Sequence, residues 1–168
     1  MVLGLATEQS AAPMSVQACF TPARSCAEYI LRAIAQAKKE VLVAVYAFTS
    51  EEIAQALVQA HRRGVSVQVV LDRDFDRSNG SSKGSFLERQ GIRVRRVSGL
   101  KPQAVDKGGG LMHQKFAVMD GSVVLTGSYN WTTAADKFNY ENLLNFNDAA
   151  PLAEDYRKEF FRLWEKRP

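Results

Sequence analysis

Val41-Leu42-Val43-Ala44-Val45-Tyr46-Ala47-Phe48 (VLVAVYAF) runs apolar over eight residues without a polar break. A run of that length and composition reads as a strand buried on both faces, which must be covered by other elements on each side. Immediately downstream, Ser50 has the side chain of a helix cap, and Glu51 and Glu52 suit the positive end of a helix dipole. Ile53, Ala56, Leu57 and Ala60 give that helix a core face, and Gly64 ends it. Val65–Leu71 is a second buried strand. Upstream, Ala27, Ile30, Leu31, Ile34 and Ala35 mark one helical face within Ser25–Lys39, preceded by a short strand at Val16–Phe20. Farther on, Ser81–Arg89 reads as helix, Ile92–Val97 as strand and Gly99–Gly110 as a loop. Met112–Met119 and Val123–Thr126 form a hairpin through Asp120-Gly121. Thr132–Lys137 is a short helix and Glu141–Phe146 a last strand. Asp148 and Pro151 open a final helix with Leu152, Tyr156, Phe160, Leu163 and Trp164 on one face. The fold class is α/β (α+β mixed): one mixed sheet flanked by helices on both faces.

The chain of 168 residues is the length of one domain. We assign that domain to residues 16–168. Residues 1–15 lack the Lys/Arg of a signal peptide and are set aside as a disordered segment or a cloning remnant. No apolar run approaches the ~18 residues of a membrane-spanning helix, so stable insertion by this segment is not expected. The net charge is +4, unevenly spread: residues 61–115 hold twelve Lys/Arg against five acids. A local basic excess suits a polyanion, and equally a solvated surface. Cys19 and Cys26 straddle Thr21-Pro22. They read either as a disulfide, which favours an exported protein, or as two buried thiols.

The chemistry lies in His113-Gln114-Lys115-Phe116-Ala117-Val118-Met119-Asp120 and the following Gly127-Ser128-Tyr129-Asn130. Side chains two apart on a strand share a face, so His113 pairs with Lys115, and Ser128 with Asn130. An imidazole, an ammonium, a hydroxyl and an amide at one sheet end suit a phosphate diester. The imidazole attacks phosphorus while the others hold the non-bridging oxygens.

His-x-Lys-x4-Asp followed by Gly-Ser-x-Asn resembles the signature of the phospholipase D superfamily, matched at His113, Lys115, Asp120, Gly127, Ser128 and Asn130. Ala44–Ser50 and Asn139-Tyr140-Glu141-Asn142 are similar to its single-domain nucleases, which include small bacterial endonucleases and a mitochondrial-surface branch. The resemblance implies His113 as a nucleophile forming a phosphohistidine, with Lys115 and Asn130 on the phosphate oxygens and Ser128 as a supporting donor. It implies that Glu141 accepts a hydrogen bond from His113, and that Asp120 and Gly127 are structural. It also implies chemistry without a metal or other cofactor. The motif occurs once, whereas double displacement needs a second acid/base. His61, beside Arg62 and Arg63, reads as a surface residue. Single-motif members pair two copies of the motif in a homodimer, and we adopt that arrangement.

Four residues are candidate substrate contacts: Lys101 and Lys107 in the loop before the motif, Arg93, and Trp131. Trp131 reads as core if the strand persists and as a base-stacking side chain if it lies on a loop. Asp72, Asp74 and Asp76 resemble a haloacid-dehalogenase-type site or a calcium loop, but the residues expected beside them are missing. A loop neutralised by its interleaved arginines fits better. The leading function is a metal-independent endonuclease for single-stranded DNA or RNA. The alternatives are a phospholipid-hydrolysing phospholipase D and a non-catalytic nucleic-acid-binding module. The localisation expectation is an exported, periplasmic or membrane-anchored bacterial protein that has lost its leader.

Overall fold

In the computed structural model, which describes residues 13–100 and 109–166, seven strands form one sheet in the order β1-β7-β6-β5-β2-β3-β4. They are β1 (Ser15–Thr21), β2 (Glu40–Val45), β3 (Ser66–Asp72), β4 (Arg93–Val97), β5 (Lys115–Met119), β6 (Val123–Gly127) and β7 (Glu141–Asn147). The helices are α1 (Ala27–Gln36), α2 (Glu51–Arg62), α3 (Arg73–Ser78), α4 (Gly84–Arg89), α5 (Thr133–Lys137) and α6 (Ala150–Trp164). β2, β3 and β4 are parallel, and the remaining pairs are antiparallel. The mixed sheet anticipated from VLVAVYAF is therefore present, with β2 near its middle.

The period-2 pattern divides the core. Val41, Val43 and Val45 face α1 and α2, together with Ile30, Ile34, Ile53 and Leu57. Leu42 and Ala44 face α6, together with Phe116, Val118, Phe160 and Leu163. Ser50 caps α2 by accepting the Ile53 amide at 3.3 Å, and Gly64 leaves the helix at φ +90°. Asp120 and Gly121, both at positive φ, make the β5–β6 turn. The Asp120 carboxylate also accepts the amides of Lys38, Lys39 and Glu40, which fastens this turn to the start of β2.

Several boundaries differ from the sequence reading. β1 takes in Ser15, inside the segment set aside. β5 begins at Lys115, so His113 precedes the strand proper. The acidic stretch is not a loop. Asp72 caps α3 by accepting the amides of Asp74 and Phe75. The arginines interleaved with these acids do not neutralise them: Asp76 instead binds Arg96 at 2.6 Å, from β4. Cys19 and Cys26 are bridged, linking β1 to the start of α1. Lys101 and Lys107 lie outside the described residues.

Candidate active site

The C-terminal ends of β1, β2, β3, β4 and β6 meet the N-terminal ends of β5 and β7 at one end of the sheet. This end gathers the motif. The β2–β5 ladder continues one step beyond Lys115, because the Tyr46 amide donates to the Gln114 carbonyl at 2.9 Å. On the other side the buried Asp72 carboxylate accepts the Met112 amide at 2.9 Å. His113 is thus an exposed side chain on a backbone fixed from both flanks. Its ring lies 4.7 Å from that of Tyr46, which in turn lies 5.3 Å from Phe75. The loop leading to it is pinched at its neck, where the Gly99 amide donates to the Gly110 carbonyl at 2.7 Å. Gly110 is thereby held at the neck of the loop.

Burial lowers the His113 pKa, the neighbouring Lys115 ammonium lowers it further, and Asp72 opposes both. The imidazole is therefore biased toward the neutral form that can attack an electrophile. Lys115 donates to the His113 carbonyl at 2.8 Å and lies 5.4 Å from the Tyr46 ring centre. Burial lowers its pKa also, with Glu141 acting in the opposite direction.

Gly127 fixes the next pair. A Cβ there would fall 2.2 Å from the Asn142 carbonyl oxygen, so β6 ends where the chain crosses β7 closely. The amides of Ser128 and Tyr129 both donate to that carbonyl. Ser128 Oγ donates to Glu141 Oε2 at 2.5 Å and accepts the Asn142 amide at 3.0 Å. Although the strand has ended, the alternation persists: Tyr129 and Trp131 are buried, while Ser128 and Asn130 are half-buried. Asn130 Oδ1 accepts the Ala47 amide at 3.3 Å, which orients this side chain against the end of β2.

The structure brings His113, Lys115, Ser128, Asn130 and Glu141 to one end of the sheet, and it modifies other assignments. Glu141 is not hydrogen-bonded to His113. Its carboxylate takes the Ser128 hydroxyl and the Asn139 side-chain amide, Ser128 lying just past the end of β6 beside the start of β7. Trp131 is only 2% exposed and packs edge-on against Phe48, so it belongs to the core and presents no face to a base. Arg93 opens β4 at the opposite end of the sheet, paired with Gln68 and lying over Trp164 at 5.8 Å. It does not reach the site. His61 ends α2, also at that far end, beside Gly91. The three acids Asp72, Asp74 and Asp76 do not converge: backbone amides occupy Asp72, while Arg96 and Ser82 occupy Asp76.

Sequence reasoning missed the supporting residues. Asp72 stood at the functional end of a buried strand, and that position was the available signal. Tyr46 and Asn139 sat inside segments already quoted for the resemblance. A groove of about 390 Å³ begins at His113 and runs toward the end of α6, lined by Leu100, Leu111, Arg162 and Lys166 among others.

An imidazole biased to neutrality, gathered with an ammonium, a hydroxyl and an amide at one end of a mixed sheet, is a set of groups suited to a phosphodiester hydrolase. Comparison with known proteins agrees. Residues 30–164 match the family model described as "Cardiolipin synthase, PLD-like domain". A mitochondrial cardiolipin hydrolase of Xenopus laevis is 39% identical over 155 residues, 92% of this chain and 69% of that protein. A phospholipase D of Rickettsia typhi is 34% identical over 148 residues, 88% of this chain and 67% of that one. Among solved structures, Nuc from Salmonella typhimurium, a phospholipase D family member, aligns with a TM-score of 0.79 at 30% identity. That alignment covers 90% of this chain and 95% of Nuc. NucT from Helicobacter pylori aligns with a TM-score of 0.86 at 27% identity, covering 91% and 97%. The chain belongs to the phospholipase D superfamily, as a member that carries the signature once.

Proposed function

We propose that this phosphodiesterase cleaves single-stranded nucleic acid at a site completed by a second copy of the chain. The observation that carries the proposal is the cluster of His113, Lys115, Ser128 and Asn130, with no second imidazole at this end of the sheet among the described residues. Neutral His113 attacks phosphorus and the P–O bond to the leaving oxygen breaks, giving a phosphohistidine. The protonated His113 of the other copy gives its proton to that oxygen. It then takes a proton from water as the water attacks phosphorus, and His113 is released. Lys115 and Asn130 hold the non-bridging oxygens. An ammonium about 4 Å from such an oxygen contributes up to about 4 kcal/mol at an effective dielectric near 20. Ser128 fixes Glu141, and Glu141 in turn biases Lys115 toward its charged form. The basic excess over residues 61–115 supports a polyanionic substrate. No helix among the described residues is long and apolar enough to cross a membrane. The Cys19–Cys26 bridge supports an oxidising compartment.

The uncovered part of the sheet supports the dimer. Val16 pairs with Phe146, which pairs with Val124, so all three share the face that α6 covers over β5 and β6. On β1 that face is left bare by the described residues: Val16 is 54% and Phe20 60% exposed. The test is a digestion panel of single-stranded DNA, RNA, duplex and cardiolipin vesicles in EDTA. Single strands are cleaved with the chelator present, and His113→Ala binds them without cutting. Cleavage by His113→Ala, or dependence on added divalent metal, overturns the mechanism. Hydrolysis of vesicles alone moves the substrate to lipid.

A further inference from the structure

We propose that Phe138 and Tyr140 form a stacking platform for the bases of a single strand held at the active site, an inference that rests on the nucleic-acid reading above. Tyr140 is 92% and Phe138 73% exposed, and neither ring packs into the two hydrophobic clusters of the core. Exposed aromatics of this size are unusual in so short a segment, because each forgoes a large burial.

Their backbone is firmly held. The amides of Phe138 and Asn139 both donate to the Ala134 carbonyl at 3.0 Å, and the Asn139 carbonyl accepts Thr21 Oγ1 at 2.9 Å. The Glu141 amide donates to that same hydroxyl at 3.2 Å. The rings are therefore presented on a braced turn, which lowers the ordering cost of binding. The segment also adjoins the chemistry. Asn139 Nδ2 donates to the Glu141 carboxylate at 3.3 Å, and Glu141 accepts Ser128 Oγ.

Charge favours the same ligand. Lys137 on α5 and Arg24 on the loop before α1 are exposed, and neither makes an ion pair among the described residues. Asp136 binds the Ser25 hydroxyl and the Cys26 amide, which brings the Arg24 loop and α5 together. Exposed rings flanked by cations beside the proposed phosphate site are the features by which proteins hold single strands: the cations follow the backbone and the rings take successive bases. A duplex buries its base faces against one another and offers none to this platform. The apolar surface consists of two ring faces with the polar Asn139 between them, which suits separate bases better than a continuous acyl layer.

The test measures binding in the His113→Ala background, so that the probe survives. The ligands are a single-stranded oligonucleotide, its abasic counterpart of equal length, a duplex and cardiolipin vesicles. Stacking of about 1–3 kcal/mol per base predicts that Phe138→Ala with Tyr140→Ala weakens oligonucleotide binding by at least about 30-fold. Binding of the abasic strand stays the same, and Trp at both positions restores affinity for the normal strand. Both residues are exposed, and an unchanged melting temperature confirms the fold. Equal weakening on the normal and abasic strands, or no weakening on either, overturns the platform. So does a loss confined to vesicles, which assigns the rings to a lipid surface. Base-dependent binding by an enzyme that cuts only lipid keeps the platform and overturns the nuclease reading. Cleavage of single strands with unaltered binding does the reverse.

Discussion

The nucleophile candidate is tuned first by its partial burial and then by its charged neighbours. His113 is exposed, yet partial desolvation and the Lys115 charge lower its pKa, and Asp72 is the opposing influence. The sign of the consequence is definite. Attack needs the neutral ring, so a lowered pKa carries activity to a pH below the usual histidine value of about 6.5. An NMR titration of the His113 ring will place its midpoint below that value, and the acid limb of kcat/KM will follow. Asp72→Asn removes the influence that raises the pKa, so the midpoint falls further. The substitution also loses an acceptor, because an amide oxygen that caps α3 cannot also serve Met112. The rate at the plateau falls accordingly. A midpoint that rises in Asp72→Asn contradicts this account of the site's electrostatics.

At the scale of elements, joins made across long stretches of chain hold the sheet and helices together, and these were the features least visible in the sequence. The buried strands were legible because VLVAVYAF and VSVQVVL carry their burial in their composition. The His-x-Lys and Ser-x-Asn pairs were legible because alternation needs only local spacing. The start of α1 was not. Cys26 stands at its cap position without a capping side chain, and the acceptor is Asp136, 110 residues away. One Asp136 carboxylate takes the Ser25 hydroxyl, the amides of Cys26 and Ala27, and the Tyr129 hydroxyl. Arg96 makes a shorter-range join to Asp76 on α3 and Glu88 on α4, and Trp131 packs against the distant Phe48. Asp136→Ala leaves several donors without an acceptor at once. With about 1–3 kcal/mol for each buried group left unsatisfied, the substitution should cost at least about 2 kcal/mol in urea unfolding. Asp136→Asn, which keeps one acceptor oxygen, should recover part of that loss. A cost within about 0.5 kcal/mol, the range of ordinary surface substitutions, removes Asp136 as the join between α1 and α5.

At the scale of the whole molecule, a single imidazole at the site end of the sheet and an apolar edge left bare by the described residues point to one answer. β1 is the last strand of the sheet, and the face it shares with β7 continues the surface that α6 covers farther in. Phe20 stands at the site end of that strip, opposite Asn142, whose amide reaches Ser128. In the dimer proposed above, a two-fold contact at the site end of this strip would bury Phe20 and bring the motif-bearing ends of the two sheets together. The dimer should therefore scatter light at about twice the 18.7 kDa of the chain. Phe20→Lys puts a charge into the contact, and burying it unpaired is costly. This variant should run as a folded monomer, keep the melting behaviour of an exposed-site substitution, and lose cleavage because each His113 lacks its partner. Mixing it with His113→Ala protein cannot restore activity if the strip is the contact, since each combination still carries a charged edge or lacks an imidazole. A Phe20→Lys protein that remains a dimer relocates the interface. One that is monomeric and fully active removes the second imidazole from the reaction.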